Sequence, residues 1–169
     1  MIYTSLQNVL IERPIKPLYA KTQATAQDWT LDPAIITGKT VVIPGVIATA
    51  KTNTAGHPVA AIATANDKPI GFFANFVNGL EDEVVIAGNN KCAIWTLNND
   101  ARFFINKSVF ATGATPAIGD FIGAGTDGKP TTVQDVTKAV AKVYDVTSEG
   151  MVVEGLAIAD TAPVDSESE

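Results

Sequence analysis

Short apolar runs rich in β-branched residues recur from Thr40 onward, and clusters of Asn, Asp and Gly separate them. Such runs, with turn residues at intervals of roughly ten residues, are typical of a β-sandwich or barrel. The pattern therefore predicts an all-β fold, either a small β-barrel or a sandwich. The predicted strand runs are TVVIPGVIATA, PVAAIATA, KPIGFFANFV, DEVVIAG, KCAIWTL, RFFINKSVFAT, GDFIGAG, KAVAKVYDV and MVVEGLAIA.

One segment carries two patterns. TTVQDVTKAVAKVYDV places valines at helix-like spacing, yet it is rich in β-branched residues and leads into TSEG, which is typical of a hairpin turn. We predict a strand for the second half of this segment. The pattern leaves the conformation of residues 130–139 open.

The first 38 residues differ from the rest of the chain. ERPIKPLYAKTQATAQDWTLDP contains three prolines and sustains no hydrophobic period. Proline fixes its own φ and disfavours helix at the preceding residue, so we predict an extended arm with one helical turn around Leu6, Val9 and Leu10. Because the arm is too apolar for a solvated linker, either the protein's own core or a partner surface should cover its apolar residues. These are Ile11, Ile15, Leu18, Tyr19, Trp29 and Leu31.

The chain is thus predicted to have three parts. Residues 1–38 form the extended N-terminal arm, and residues 39–160 form the β-barrel domain. Residues 161–169 end in the acidic sequence PVDSESE and are predicted to be a disordered tail.

The composition narrows the range of partners. The chain has 169 residues, which suits a single domain, and its formal net charge is −6. Because an acidic surface repels phosphate backbones and anionic lipids, we expect neither nucleic acid nor a membrane as a partner. No apolar run is long enough for a membrane helix, and the N-terminus lacks signal-peptide features, so we expect synthesis in a cytoplasm.

The single cysteine, Cys92, excludes an internal disulfide, and we interpret it as a buried apolar residue.

The stretch GAGTDGKP, residues 123–130, matches two nucleotide-binding motifs in part. Its glycines spell G-x-G-x-x-G, but the dinucleotide fingerprint requires a helix directly afterwards, and Pro130 followed by two threonines is a poor start for one. A P-loop requires Ser or Thr after its lysine, whereas Pro130 follows Lys129 and has no N–H to donate to phosphate. We therefore interpret the stretch as a strand followed by an Asp127-Gly128 turn.

The remaining ionisable residues form no recognisable catalytic motif. His57 is the only histidine, and we interpret it as a residue of a surface turn. Glu81 to Glu83 and Asp100 offer carboxylates for a glycosidase, but the three acidic residues follow an Asn-Gly turn and are predicted to be solvated. We predict no enzyme activity, no metal and no cofactor.

Two pairs of adjacent phenylalanines lie in predicted strands, Phe72-Phe73 and Phe103-Phe104. Neighbouring side chains on a strand point to opposite faces, so each pair places one ring on each face. Such strands are expected to be buried on both sides, in a closed barrel or beneath a subunit contact.

The order of these elements resembles that of small β-barrel decoration (cement) proteins on the heads of tailed bacteriophages. The resemblance rests on TAGHPVAAIATANDKPIGFFANFVNGLEDEVVIAG, VFATGATPAIGDFIGAGTDGKP and AKVYDVTSEGMVVEGLA. It covers about 70% of the chain, and its motifs are strand and turn punctuation rather than catalytic residues.

The resemblance implies a non-enzymatic virion protein on the outer surface of the capsid. It implies a homo-oligomer, expected as a trimer, that binds the major capsid protein and braces the head. The arm is then expected to contact the capsid through Ile11, Ile15, Leu18, Tyr19 and Trp29. The alternative is a tail or baseplate module, or a carbohydrate-binding β-module, of a virion.

Overall fold

A computed structural model describes residues 14–18, 25–38, 42–74, 91–96 and 101–156. These residues form eleven β-strands and one short α-helix, joined by turns and three 3₁₀ turns. The strands are β1 (Ile15–Leu18), β2 (Ala26–Thr30), β3 (Ile47–Thr52), β4 (Pro58–Ile62), β5 (Pro69–Phe73), β6 (Lys91–Thr96), β7 (Arg102–Asn106), β8 (Phe121–Ala124), β9 (Pro130–Val133), β10 (Ala139–Val146) and β11 (Gly150–Gly155), and the helix is α1 (Pro33–Thr37).

The strands form two antiparallel sheets. The first sheet has six strands in the order β1-β7-β11-β10-β8-β9, and the second has five in the order β2-β6-β5-β3-β4. A parallel bridge between Leu31 and Ala60 joins the two edges of the second sheet at one end. The prediction of an all-β fold is confirmed, and the described residues form a two-sheet, sandwich-like body.

Most predicted strand runs contain a strand, but their ends shift. The run TVVIPGVIATA was expected to be one strand, and this is wrong for residues 42–46, because β3 begins only at Ile47. The reason is a turn in which Val46 N–H donates to the Ile43 carbonyl and Gly45 adopts φ +96°. Pro followed by Gly at the centre is typical of a type II turn. The run DEVVIAG lies outside the described residues.

The ambiguous segment divides between several elements. Its second half forms β10, as predicted. Its first half contains β9 and a 3₁₀ turn over Val136–Lys138, which Asp135 begins by accepting a hydrogen bond from the Thr137 N–H at 2.9 Å. The helix-like valine spacing therefore produces no α-helix here.

The main core lies between the two sheets. Phe72 of the second sheet packs on Phe103 of the first, with ring centroids 5.8 Å apart, and Trp95 contacts the same ring at 5.9 Å. Tilted rings at these distances are favourable beyond the area that they bury. Fully buried aliphatic residues complete this core, among them Ile47, Ile105, Ile122, Met151 and Val153.

A second core covers the opposite face of the second sheet. Phe73, Ile94 and Cys92 of the sheet pack there against Leu31 and against Ile35 of α1. The sequence favours this short helix, because Pro33 has the φ of a first helical residue and Asp32 caps it by accepting from the Ala34 N–H at 3.0 Å. Each large side chain buried in this way contributes about 1.5–3 kcal/mol.

The described part of residues 1–38 contributes to both sheets. β1 pairs with β7 at one edge of the first sheet, and β2 pairs with β6 at one edge of the second. Ile15 and Leu31 are buried in the protein's own cores. The sequence left two alternatives for what covers the apolar residues of this segment, the protein's own core or a partner surface. For Ile15 and Leu31 the structure shows the protein's own core.

Candidate functional site

The motif GAGTDGKP forms the connection between β8 and β9, so its interpretation as a turn is confirmed. The Gly125 N–H donates to the Lys129 carbonyl at 2.8 Å, and Asp127 and Gly128 both adopt positive φ. Pro130 begins β9, which pairs with β8 along its whole length. The strand takes the place that the helix of a dinucleotide site requires.

Gly128 lies where this turn touches the second sheet. A Cβ there would come within 2.6 Å of Ile62 Cγ2 and 2.9 Å of Val46 Cγ1. Real Cβ atoms do not approach other atoms so closely, so the glycine permits both the backbone conformation and the contact between sheets. The motif thus has a packing role.

A cleft of about 790 Å³ lies beside this turn. We call it the turn cleft. Its apolar wall comes from the second sheet and the segment before it, and includes Val42, Ile43, Val46 and Ile62. The rim on the side of the β8–β9 turn is polar and includes Thr126, Asp127 and Lys129.

The groups that the sequence offered for catalysis are dispersed or outside the described residues. His57 is exposed in the β3–β4 turn, where its backbone N–H donates to Asn53 Oδ1 at 2.9 Å. Glu81 to Glu83 and Asp100 lie outside the described residues. Within the described ranges, no group of three or more His, Cys, Asp or Glu residues could hold a metal ion.

The clearest pKa shifts come from a hydrogen bond within a turn and from burial in a core. The pKa of Asp67 is lowered, chiefly because its carboxylate accepts a hydrogen bond from the Thr64 backbone N–H. Burial raises the pKa of the Cys92 thiol to about 12, with a further contribution from Asp28. A neutral, buried thiol is a poor nucleophile, so Cys92 is the buried apolar residue that its sequence context predicted.

The outer face of the first sheet carries three cation–aromatic contacts. The Arg102 guanidinium lies 3.7 Å from the centre of the Tyr144 ring and donates to Glu154 at 3.0 Å. The amino groups of Lys16 and Lys142 each lie 5.7 Å from a ring centre, that of Phe104 and that of Phe121 respectively. Sequence reasoning missed this surface, because the contacts join different strands and depend on register.

The predicted capsid-contact residues fall into three groups. Ile15 is buried in the core between the sheets. Leu18 and Trp29 are partly exposed, on the edge strands β1 and β2. Ile11 and Tyr19 lie outside the described residues. Within the described ranges, Leu18 and Trp29 therefore lie on edge strands of two different sheets.

No helix in the described part of the chain is long and apolar enough to cross a membrane.

Comparisons with known proteins give the family. No curated protein matches the chain. The N base of the head fibre protein gp8.5 of bacteriophage phi29 has a similar structure, with a TM-score of 0.45 and 12% sequence identity, covering 80% of this chain and 99% of that chain. The model of the phage cement protein family matches residues 1–166.

That match covers nearly the whole chain. It gives the protein a structural role in the phage virion, on the outer surface of the capsid, where it stabilises the head. The chain belongs to the phage cement protein family.

Proposed function

We propose that the protein binds the major capsid protein as a homotrimer and stabilises the head by adhesion alone, without catalysis. The proposal rests chiefly on one observation: the N-terminal segment supplies an edge strand to each sheet, β1 and β2. Edge strands present unpaired backbone groups and adhere readily to other chains. Each of the two carries a partly exposed apolar residue, Leu18 or Trp29.

In this proposal Leu18 and Trp29 contact the capsid directly, together with Ile11 and Tyr19. Ile15 acts differently, because its buried side chain holds β1 against the core and thereby positions Leu18. Residues 1–38 remain the proposed binding part of the chain. Residues 39–160 provide the rigid body, and residues 161–169 the acidic tail.

The distribution of ionisable groups supports adhesion over catalysis. Among the described residues, the carboxylates with lowered pKa values, Asp67 and Asp135, are held by Thr64 and Thr137 in their own turns. Cys92 is buried in the second core. None of these three residues lines the turn cleft.

The proposal is tested by adding purified protein to phage heads that lack it and measuring cosedimentation. Trp29→Ala and Leu18→Ala are each expected to raise the dissociation constant by about tenfold or more, as for an apolar residue at an interface centre. Ile118→Ala is the control at an exposed apolar residue, because Ile118 is 68% exposed and belongs to the chain connection that follows β7 and precedes β8, outside β1 and β2. Sedimentation of the protein alone gives its mass, which is expected to be that of a trimer.

Equal loss of binding in the Ile118 control, or none in the Trp29 and Leu18 variants, would contradict the assignment of the contact residues. Failure of the unaltered protein to bind heads would contradict the proposed function itself.

A further inference from the structure

The turn cleft has an apolar wall that the described residues leave uncovered. Ile43, on this wall, keeps 37% of its surface exposed, although Val42 and Val46 on either side are buried. A volume of about 790 Å³ is within the range of pockets that enclose a drug-sized molecule, so several apolar side chains fit. An apolar recess of this size favours an apolar occupant.

The described chain begins next to this cleft. Gly45 forms the tip of the Ile43–Val46 turn, and a Cβ on it would lie 3.7 Å from the Pro14 carbonyl and 3.6 Å from Ile15 Cβ. Ile43 and Val46, the two ends of the same turn, line the cleft. One β-turn therefore separates the start of the described chain from the cleft wall.

The thirteen residues before Pro14 have the matching chemistry. Their sequence, MIYTSLQNVLIER, carries Ile2, Leu6, Val9 and Leu10 at the spacing of one helix face. Its only charged side chains, Glu12 and Arg13, stand at the end nearest Pro14. Residues 2–10 are thus an uncharged stretch whose apolar side chains share one face of the helical spacing.

We propose that the apolar side chains of residues 2–10 occupy the turn cleft of the same chain. The segment has ample length, because thirteen extended residues span about 45 Å. A short tether also gives the segment an effective concentration in the millimolar range at its own cleft, which favours its own chain over a second copy. The remaining residues near Pro14, including Ile11, stay outside the cleft.

This inference does not rest on the proposed capsid contacts, since it concerns the protein before it meets a head. It adds a function to the turn cleft, that of holding the N-terminal end of the chain against the body.

Cross-linking the full-length protein tests the occupant directly. Leu6→Cys is combined with Ala65→Cys, a position that lines the cleft, and treated with a short bismaleimide. The control pair is Leu6→Cys with Ala55→Cys, because Ala55 is equally exposed but lies in the β3–β4 turn, at the other end of β4. Cys92 is buried and does not compete.

The expected product is a link within one chain, at monomer mass, for the Ala65 pair and not for the Ala55 pair. Links only between copies would overturn the proposal in favour of exchange with a second copy. Equal linking of the two pairs, or no link within a chain in either, would also overturn it.

A second measurement does not depend on cross-linker geometry. The thiol of the single variant Ala65→Cys is expected to react with a maleimide about tenfold faster once Leu6→Ser and Leu10→Ser are added, because the apolar cover is lost. An unchanged rate would mean that another part of the chain covers the cleft, and would overturn the proposal. A cooperative thermal unfolding transition of the triple variant shows that the body still folds.

Discussion

The two sheets use adjacent phenylalanines in opposite ways. In β5 of the second sheet, Phe72 and Phe73 are both fully buried, one in each core. In β7 of the first sheet, Phe103 is fully buried, but Phe104 is only partly covered and has Lys16 above its ring. The second sheet is thus an inner layer, whereas the first sheet has one dry face and one wetted face.

The difference shows what the N-terminal segment does for the body. The second sheet has its outer face covered by Leu31 and α1, which come from the segment predicted to be an arm. Among the described residues of that segment, the first sheet gains the edge strand β1, and its outer face carries the cation–aromatic contacts. Removing all of residues 1–38 would therefore open a core, so single substitutions are the sharper test of capsid binding.

Substitutions at the two phenylalanine pairs are expected to show the largest difference in stability between the two sheets. Phe73→Ala is expected to lower the free energy of unfolding by about 3–5 kcal/mol, because it leaves a cavity in the second core. Phe104→Ala is expected to cost about 1 kcal/mol or less, because the ring is only partly covered and its removal leaves no closed cavity. Urea unfolding of both full-length variants measures this difference. Equal costs would mean that the outer face of the first sheet is covered as well as that of the second.

A second test addresses the contact between the β8–β9 turn and the second sheet. Gly128→Ala is expected to cost about 3 kcal/mol, because it adds a clash with Ile62 and Val46 to the strain of positive φ. Gly113→Ala is the matched control, since Gly113 also has positive φ, +79°, but no atom lies within 4 Å of its added Cβ. The control is expected to cost about 1–2 kcal/mol, the strain alone. Thermal unfolding that ranks the two variants equally would show that the turn does not bear on the second sheet.

The local sequence pattern predicted the strands of the body but not β1 and β2 of the N-terminal segment, and the difference has a physical reason. β5, β6 and β10 have β-branched and aromatic residues bounded by turn signals, and they form where these local patterns place them. β1 contains Pro17, and β2 reads AQDWT, with few strand-favouring residues. β1 is held by pairing with β7, and β2 is held by pairing with β6. Such pairing between distant parts of the chain is not encoded in a local sequence pattern.

The same limit applies to the candidate surfaces. The turn role of GAGTDGKP followed from Pro130, a local fact about a missing N–H. The cation–aromatic contacts of Arg102 with Tyr144 and of Lys142 with Phe121 join separate strands, and a register shift of one residue would move them to the other face. The turn cleft likewise brings together residues more than 60 positions apart, such as Ile62 and Lys129.

The smallest predicted effect is a change in the free energy of unfolding with pH, which reports whether water reaches Cys92 in the second core. The folded-state pKa of Cys92 is raised from 9.0 to about 12 by burial, so the folded protein holds its thiol proton at pH values where the unfolded chain releases it. The stabilisation is therefore complete below about pH 9 and is lost as the pH rises towards 12. Between pH 8 and pH 10 the unaltered protein should lose about 1 kcal/mol more stability than Cys92→Ala.

A thiol on the wetted face of the first sheet provides the contrast. Val146 is 42% exposed at the end of β10, so Val146→Cys in the Cys92→Ala background places a thiol in water in both the folded and the unfolded state. Its pKa should then be the same in both states, and no excess loss between pH 8 and pH 10 is expected beyond that of Cys92→Ala. Urea unfolding at the two pH values measures all three proteins, and the lysines and tyrosines common to them cancel in the differences. If the unaltered protein also loses no more stability than Cys92→Ala between pH 8 and pH 10, water reaches the second core. The second sheet would then not be buried on both faces at Cys92.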